Sequence, residues 1–164
     1  MHAVHNSSHG LVGDLLDFGY EKMRGQTNIV TLAYKQLKKA LDAGNHVVIV
    51  AHSEENVIAR NAYMLLTPEE RKKVEVHGLA VTEIHNDTIL NGAQNYISKN
   101  DWVAIMGNPI KCIKASKEEA SHVQFLEPHS RSILKEHSFM GETNQKALKK
   151  SCDDIIKRYG LNDE

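Results

Sequence analysis

The sequence predicts an α/β protein of one domain, and three observations point that way. An amphipathic helix over Thr27–Ala43 runs straight into a β-branched apolar segment, His46–Ala51, and a second amphipathic stretch follows at once. Helix, buried strand, helix is the alternation from which α/β folds are built. Three later strand-like segments come without hairpin turns between them, as parallel pairing requires. The length of 164 residues accommodates about one domain at roughly 150 residues each, so a second large domain is excluded.

The elements follow in order. The first helix carries Ile29, Val30, Leu32, Ala33, Leu37, Ala40 and Leu41 at helical spacing, with Thr27 placed as N-cap and Gly44 just past its end. His46–Ala51 lacks polar alternation, which predicts a strand buried on both faces of a parallel sheet. Val57, Ile58, Ala62, Tyr63, Leu65 and Leu66 form one face of the next helix. Thr67-Pro68-Glu69-Glu70 opens a short one, because Thr67 can cap, Pro68 suits the first helical position and Glu70 can reach back. Val74–Val81, Ala93–Ile97 and Val123–Leu126 read as strands. Glu142–Tyr159 is a helix through Ala147, Leu148, Cys152, Ile155 and Ile156, stopped at Gly160. At the start, His2–His5 suggests a strand and Leu11–Met23 a helix weakened by Gly13 and Gly19.

Composition narrows the function classes. Twenty Lys and Arg stand against 21 Asp and Glu, so the electrostatic footprint of a nucleic-acid binder is missing. No run reaches the ~20 apolar residues of a membrane span, and the first residues lack both the basic start and the apolar stretch of a signal peptide. A soluble, cytoplasmic chain is expected, with non-classical secretion left open. Cys112 and Cys152 lie outside any Cys-x-x-Cys spacing and read as reduced thiols. Ten histidines with a pI near 6.8 make the net charge swing positive as pH falls, which bears on solubility alone.

Chemistry concentrates where the first strand meets the helix after it. Ser53 stands at that strand-to-helix turn, as a nucleophile elbow requires: the turn lifts the hydroxyl off the sheet, and the helix start offers amide N–H groups to an oxyanion. Serine also caps helices very often, and for Ser53 alone that is the more ordinary reading. Asp101, just after one strand, and His137, after the last, complete a set of three. A serine hydroxyl needs a base such as His137 to take its proton, and the base needs an acid such as Asp101 to fix its tautomer. The order Ser53, Asp101, His137 is the one used by α/β-hydrolases. Taken singly, Asp101 is an ordinary loop acid and His137 an ordinary surface histidine.

Several motifs together resemble a known family. His52-Ser53-Glu54-x-x-x-x-Ala59-Arg60-Asn61-Ala62, Thr67-Pro68-Glu69-Glu70-Arg71, Asn95-Tyr96 through Asp101, and His137-Ser138-Phe139-Met140 are similar to a family of α/β-hydrolase-like proteins of chlamydiae and their relatives, a domain of unknown function. His5-Asn6-Ser7-Ser8-His9-Gly10 is similar to that family's strand-end loop ahead of the nucleophile helix. The resemblance covers most of the chain and rests on the ordered combination. It implies a three-layer α/β sandwich with a mostly parallel sheet and the constellation Ser53, Asp101, His137, and it implies no substrate and no cofactor.

Two departures from that pattern matter. An elbow wants small residues two before and two after the serine; Ala51 fits and Glu55 does not. Either the turn relaxes and Ser53 loses its pose, or Glu55 points outward with strain of about 1–3 kcal/mol. The family pattern also places, ahead of His2–His5, a further strand that pairs beside the nucleophile strand and whose loop supplies half of the oxyanion hole. The sequence begins after that point, so an N-terminally truncated hydrolase domain is expected, its gap filled by re-pairing or by a second copy. Losing one oxyanion donor costs typically 100-fold to 1000-fold in turnover.

Other signals are weaker. His2, His5 and His9, with His85 or His46, match no zinc spacing, and no metal is expected. His52 reads as a strand-end packing residue, because neighbours on a strand point to opposite faces. Lys146, Lys149, Lys150 and Lys157 read as a solvated helix face. Two functions follow as expectations. One is a serine ester or acyl hydrolase, with Ser53 as nucleophile, His137 as base, Asp101 as orienter and the Glu54 amide as oxyanion donor. The other is an inactive hydrolase-like scaffold that binds a protein partner.

Overall fold

The structure is a computed structural model that describes residues 28–84, 92–107, 109–110, 112–113 and 122–159. The expectations placed on His2–His5, Leu11–Met23, Thr27 and Gly160 lie outside these residues.

Four strands, β1 (Val47–His52), β2 (Val74–Leu79), β3 (Gln94–Ser98) and β4 (Val123–Leu126), form one sheet in the order β1-β2-β3-β4. All three pairings are parallel, with Val47 opposite Val74, Gly78 opposite Asn95 and Ile97 opposite Phe125. Helices α1 (Asn28–Asp42), α2 (Glu55–Met64) and the single turn α3 (Pro68–Arg71) surround the first crossover, and α4 (Trp102–Gly107) opens the connection from β3 to β4. The chain closes with α5 (Ile133–His137) and α6 (Glu142–Tyr159). The fold is therefore α/β with an all-parallel sheet and helices on both faces, an arrangement compatible with a three-layer sandwich.

The two-residue period of the strands sorts their side chains. Val47, Ile49, Ala51, Val74 and Val76 face α1 and α2, where they meet Val30, Leu37, Leu41, Ile58, Ala62 and Tyr63 in the main core. Farther along the same face Ile97, Val123 and Phe125 pack with Ala104 and Ile105 of α4. On the opposite face Leu79 and Tyr96 meet Ala147 and Leu148 of α6. That face also holds a buried polar set: Glu75 and His77 of β2 with Ser151, Arg158 and Tyr159 of α6.

Several elements depart from expectation in instructive ways. β1 is not sealed on both faces. It is the outermost strand among the described residues, and Val50 is 38% exposed, with α6 packed chiefly on β2 and β3. β2 instead is buried at all six positions. It ends at Leu79, two residues short of the predicted Val81, because Ala80 takes a left-handed φ of 49° and turns the chain away. The capping box is present as read: the Glu70 amide donates to Thr67 Oγ1 at 3.4 Å and the Thr67 amide to Glu70 Oε2 at 2.8 Å. Cys112 is buried and Cys152 exposed, both free thiols. Among the described residues no helix is long and apolar enough to cross a membrane.

Candidate active site

β1 delivers His52 and then Ser53, whose backbone sits at φ 51°. A left-handed residue other than glycine costs about 1–2 kcal/mol, so other contacts must hold the turn. The Ser53 amide donates to the Leu79 carbonyl at 2.9 Å, extending the β1–β2 pairing by one residue. Its carbonyl accepts from Asn56 Nδ2 at 3.0 Å and from Thr82 Oγ1 at 3.2 Å. Asn56, fully buried, also donates to the Ala51 carbonyl at 3.2 Å, so one side-chain amide staples both ends of the elbow. Gly78 makes this possible, since a Cβ there would collide with the Asn56 side chain.

The hydroxyl of Ser53 does not cap α2. The N-cap position belongs to Glu54, without a side-chain capping bond. Ser53 Oγ lies instead 2.8 Å from His137 Nε2, and His137 Nδ1 lies 2.9 Å from each Asp101 carboxylate oxygen. A carboxylate only accepts, so Nδ1–H donates to Asp101. Nε2 is left as the acceptor of the serine proton. The structure thus brings Ser53, His137 and Asp101 together in the geometry that a serine nucleophile needs.

Each partner has its own support. Asp101 is fully buried at the N-terminus of α4, where Oδ1 also accepts from the Ala104 amide at 3.1 Å. His137 ends α5, and its carbonyl accepts from His52 Nε2–H at 2.7 Å. The two rings lie 5.4 Å apart, and Phe139 stacks edge-on against His52. Burial pushes the His52 imidazole down to about 4, so it is the neutral donor that this bond requires.

The residue before His137 is held as well. Glu136 is 2% exposed, and its carboxylate accepts from Ser98 Oγ at 2.5 Å, Thr143 Oγ1 at 2.8 Å, and the Ser130 and His129 amides at 2.6 and 3.0 Å. Burial pushes this carboxyl up, but those bonds together hold it below the usual carboxylate range. Asn144 Nδ2 then donates to the carbonyls of Glu136 and Ser138 at 2.9 and 3.0 Å. The end of β3, the loop after β4 and the start of α6 are thereby tied around His137.

The turn is not relaxed by Glu55, and Glu55 is not turned fully outward either. Ser53 keeps its left-handed backbone and its bond to His137, with Glu55 half-buried in the first turn of α2. Glu54, in helical conformation directly after the serine, sets its amide at the start of α2, where the helix dipole favours an anion. Among the described residues no three His, Cys, Asp or Glu side chains gather as metal ligands.

Asn56, Thr82, Glu136 and Asn144 are site residues that sequence reasoning missed. Their partners lie up to 38 residues away, and none of the four breaks the local pattern of the segment that carries it. Comparison with family models, with curated proteins and with solved structures gives no match.

Proposed function

We propose that this chain is an α/β-hydrolase-like serine hydrolase that cleaves an ester or other activated acyl compound. The carrying observation is the continuous bonding from Ser53 Oγ through the His137 ring to Asp101, on a serine held left-handed at the end of β1. In the first step Ser53 Oγ bonds to the acyl carbon while its proton passes to His137 Nε2. Asp101 stabilises the imidazolium, and the Glu54 amide receives the oxyanion. The bond from the acyl carbon to the leaving oxygen then breaks, and that oxygen takes the proton from Nε2. Water repeats the cycle: its oxygen bonds to the acyl carbon, its proton goes to Nε2, and Ser53 leaves with that proton restored as the free acid departs.

One observation favours the second reading, an inactive scaffold. The Glu55 carboxylate occupies the first turn of α2, where its charge competes with an oxyanion for the same helix dipole. A fluorophosphonate probe separates the two. Labelling of wild type at Ser53, absent in Ser53→Ala, supports the hydrolase; folded wild type that resists the probe at millimolar concentration supports the scaffold.

A further inference from the structure

We infer that the acyl group taken by this site is a long apolar chain, laid over α4 and α5. The inference rests on the hydrolase reading above. The two helices that present the acid and the base also carry large apolar side chains that stand exposed among the described residues. On α4, Trp102 is 56% and Met106 74% exposed, one helical turn apart; on α5, Leu134 is 66% exposed; beyond it Met140 is 77% and Phe139 41% exposed. Isolated exposed apolar residues are ordinary, but a set grouped on adjoining elements marks a surface built to meet an apolar ligand.

These elements also carry the partners of the Ser53 hydroxyl. Trp102 directly follows Asp101, and Leu134 precedes His137 by three residues, with α4 and α5 packed on each other. At its far end α4 presses on the turn that holds Ser53. A Cβ on Gly107 would stand 2.7 Å from the Thr82 carbonyl oxygen, and the Thr82 hydroxyl bonds to the Ser53 carbonyl. Phe139 completes the path through its edge contact with His52, whose ring lies against that of His137. A protein partner seated here would cover the base; an acyl chain leads away from it and leaves the leaving group in water.

The test is a series of 4-nitrophenyl esters from acetate to octanoate, with alkyl fluorophosphonates of matching length. Full burial of a methylene amounts to about a fourfold effect, and half of that free energy to about twofold, so kcat/KM rises about sixtyfold over the six added methylenes. In the double variant Met106→Ser/Leu134→Ser the ratio of octanoate to acetate kcat/KM falls about tenfold, at an unchanged melting temperature. A flat series in a protein that a short fluorophosphonate still labels at Ser53 overturns the apolar acyl site and leaves the hydrolase standing. A steep series that the double variant does not change overturns the placement on α4 and α5. A concentration-dependent dimer with a flat series assigns the surface to a second copy. Folded protein that no fluorophosphonate labels removes both readings.

Discussion

Among the described residues two sets of serine, histidine and carboxylate stand out, and they are built differently. Ser53, His137 and Asp101 meet at the carboxyl ends of β1 and β3. Ser151, His77 and Glu75 meet between α6 and the middle of β2, with Ser151 Oγ hydrogen-bonded to His77 Nδ1 at 2.6 Å. In the second set the histidine and the acid are only loosely joined, at 3.4 Å. Glu75 is claimed by Arg158 Nη1 and the Tyr159 hydroxyl, both at 2.6 Å. Burial pushes the Glu75 carboxyl up and these donors bring it net below the usual range, while burial dominates for His77 and lowers it. Ser151 sits mid-helix with ordinary backbone and no exposure. The same three functional groups form a clasp in one place and a candidate nucleophile in the other. What separates them is the left-handed backbone at Ser53, a helix start beside it, and an imidazole that solvent can reach.

The contrast is sharpest in paired serine variants. Ser53→Ala is expected to lower ester turnover by at least ~10⁴-fold, whereas Ser151→Ala changes it less than about twofold and lowers stability by about 1 kcal/mol in urea unfolding. Equal kinetic losses from both would erase the distinction. The acids come next. Asp101→Asn reverses the histidine tautomer and is expected to reduce kcat by about 10⁴-fold. Glu75→Gln instead leaves kcat near wild type and costs about 1–3 kcal/mol of stability, discounted because Arg158 is half-exposed.

Glu136→Gln places an amide where four donors converge. It is expected to cost about 2–3 kcal/mol in a denaturant titration and to lower kcat with little change in KM. A variant with normal kcat would detach Glu136 from the positioning of His137. The smallest effect is in pH. The folded His52 imidazole titrates near 4, below its ordinary 6.5, so the unfolded chain binds more protons between these values and stability falls as pH drops through that window. Unfolding free energies from urea titrations at pH 7 and pH 5 should differ by about 1–2 kcal/mol from this group, and His52→Gln should remove that share.

Much of this was legible in the amino-acid order. Helices α1 and α6 and all four strands announce themselves by periodicity and punctuation, and the three site residues could be named because each follows a strand. The short helices α4 and α5, of six and five residues, could not be read, since neither completes two turns of any repeat. β1 looked doubly buried because composition cannot tell a central strand from an outer one. The clasp had left a trace, the polar Glu75 and His77 alternating with Val74 and Val76 in a buried strand. The cradle around Glu136 had left none, because its four donors come from three separate segments and each reads locally as an ordinary polar loop or helix-end residue.

The backbone at position 53 also bears on how such a chain ages under mutation. Glycine visits left-handed φ freely, so Ser53→Gly relieves about 1 kcal/mol of conformational penalty while deleting the hydroxyl. A glycine at position 53 that leaves the melting temperature equal or higher would mean that the fold itself does not require the serine.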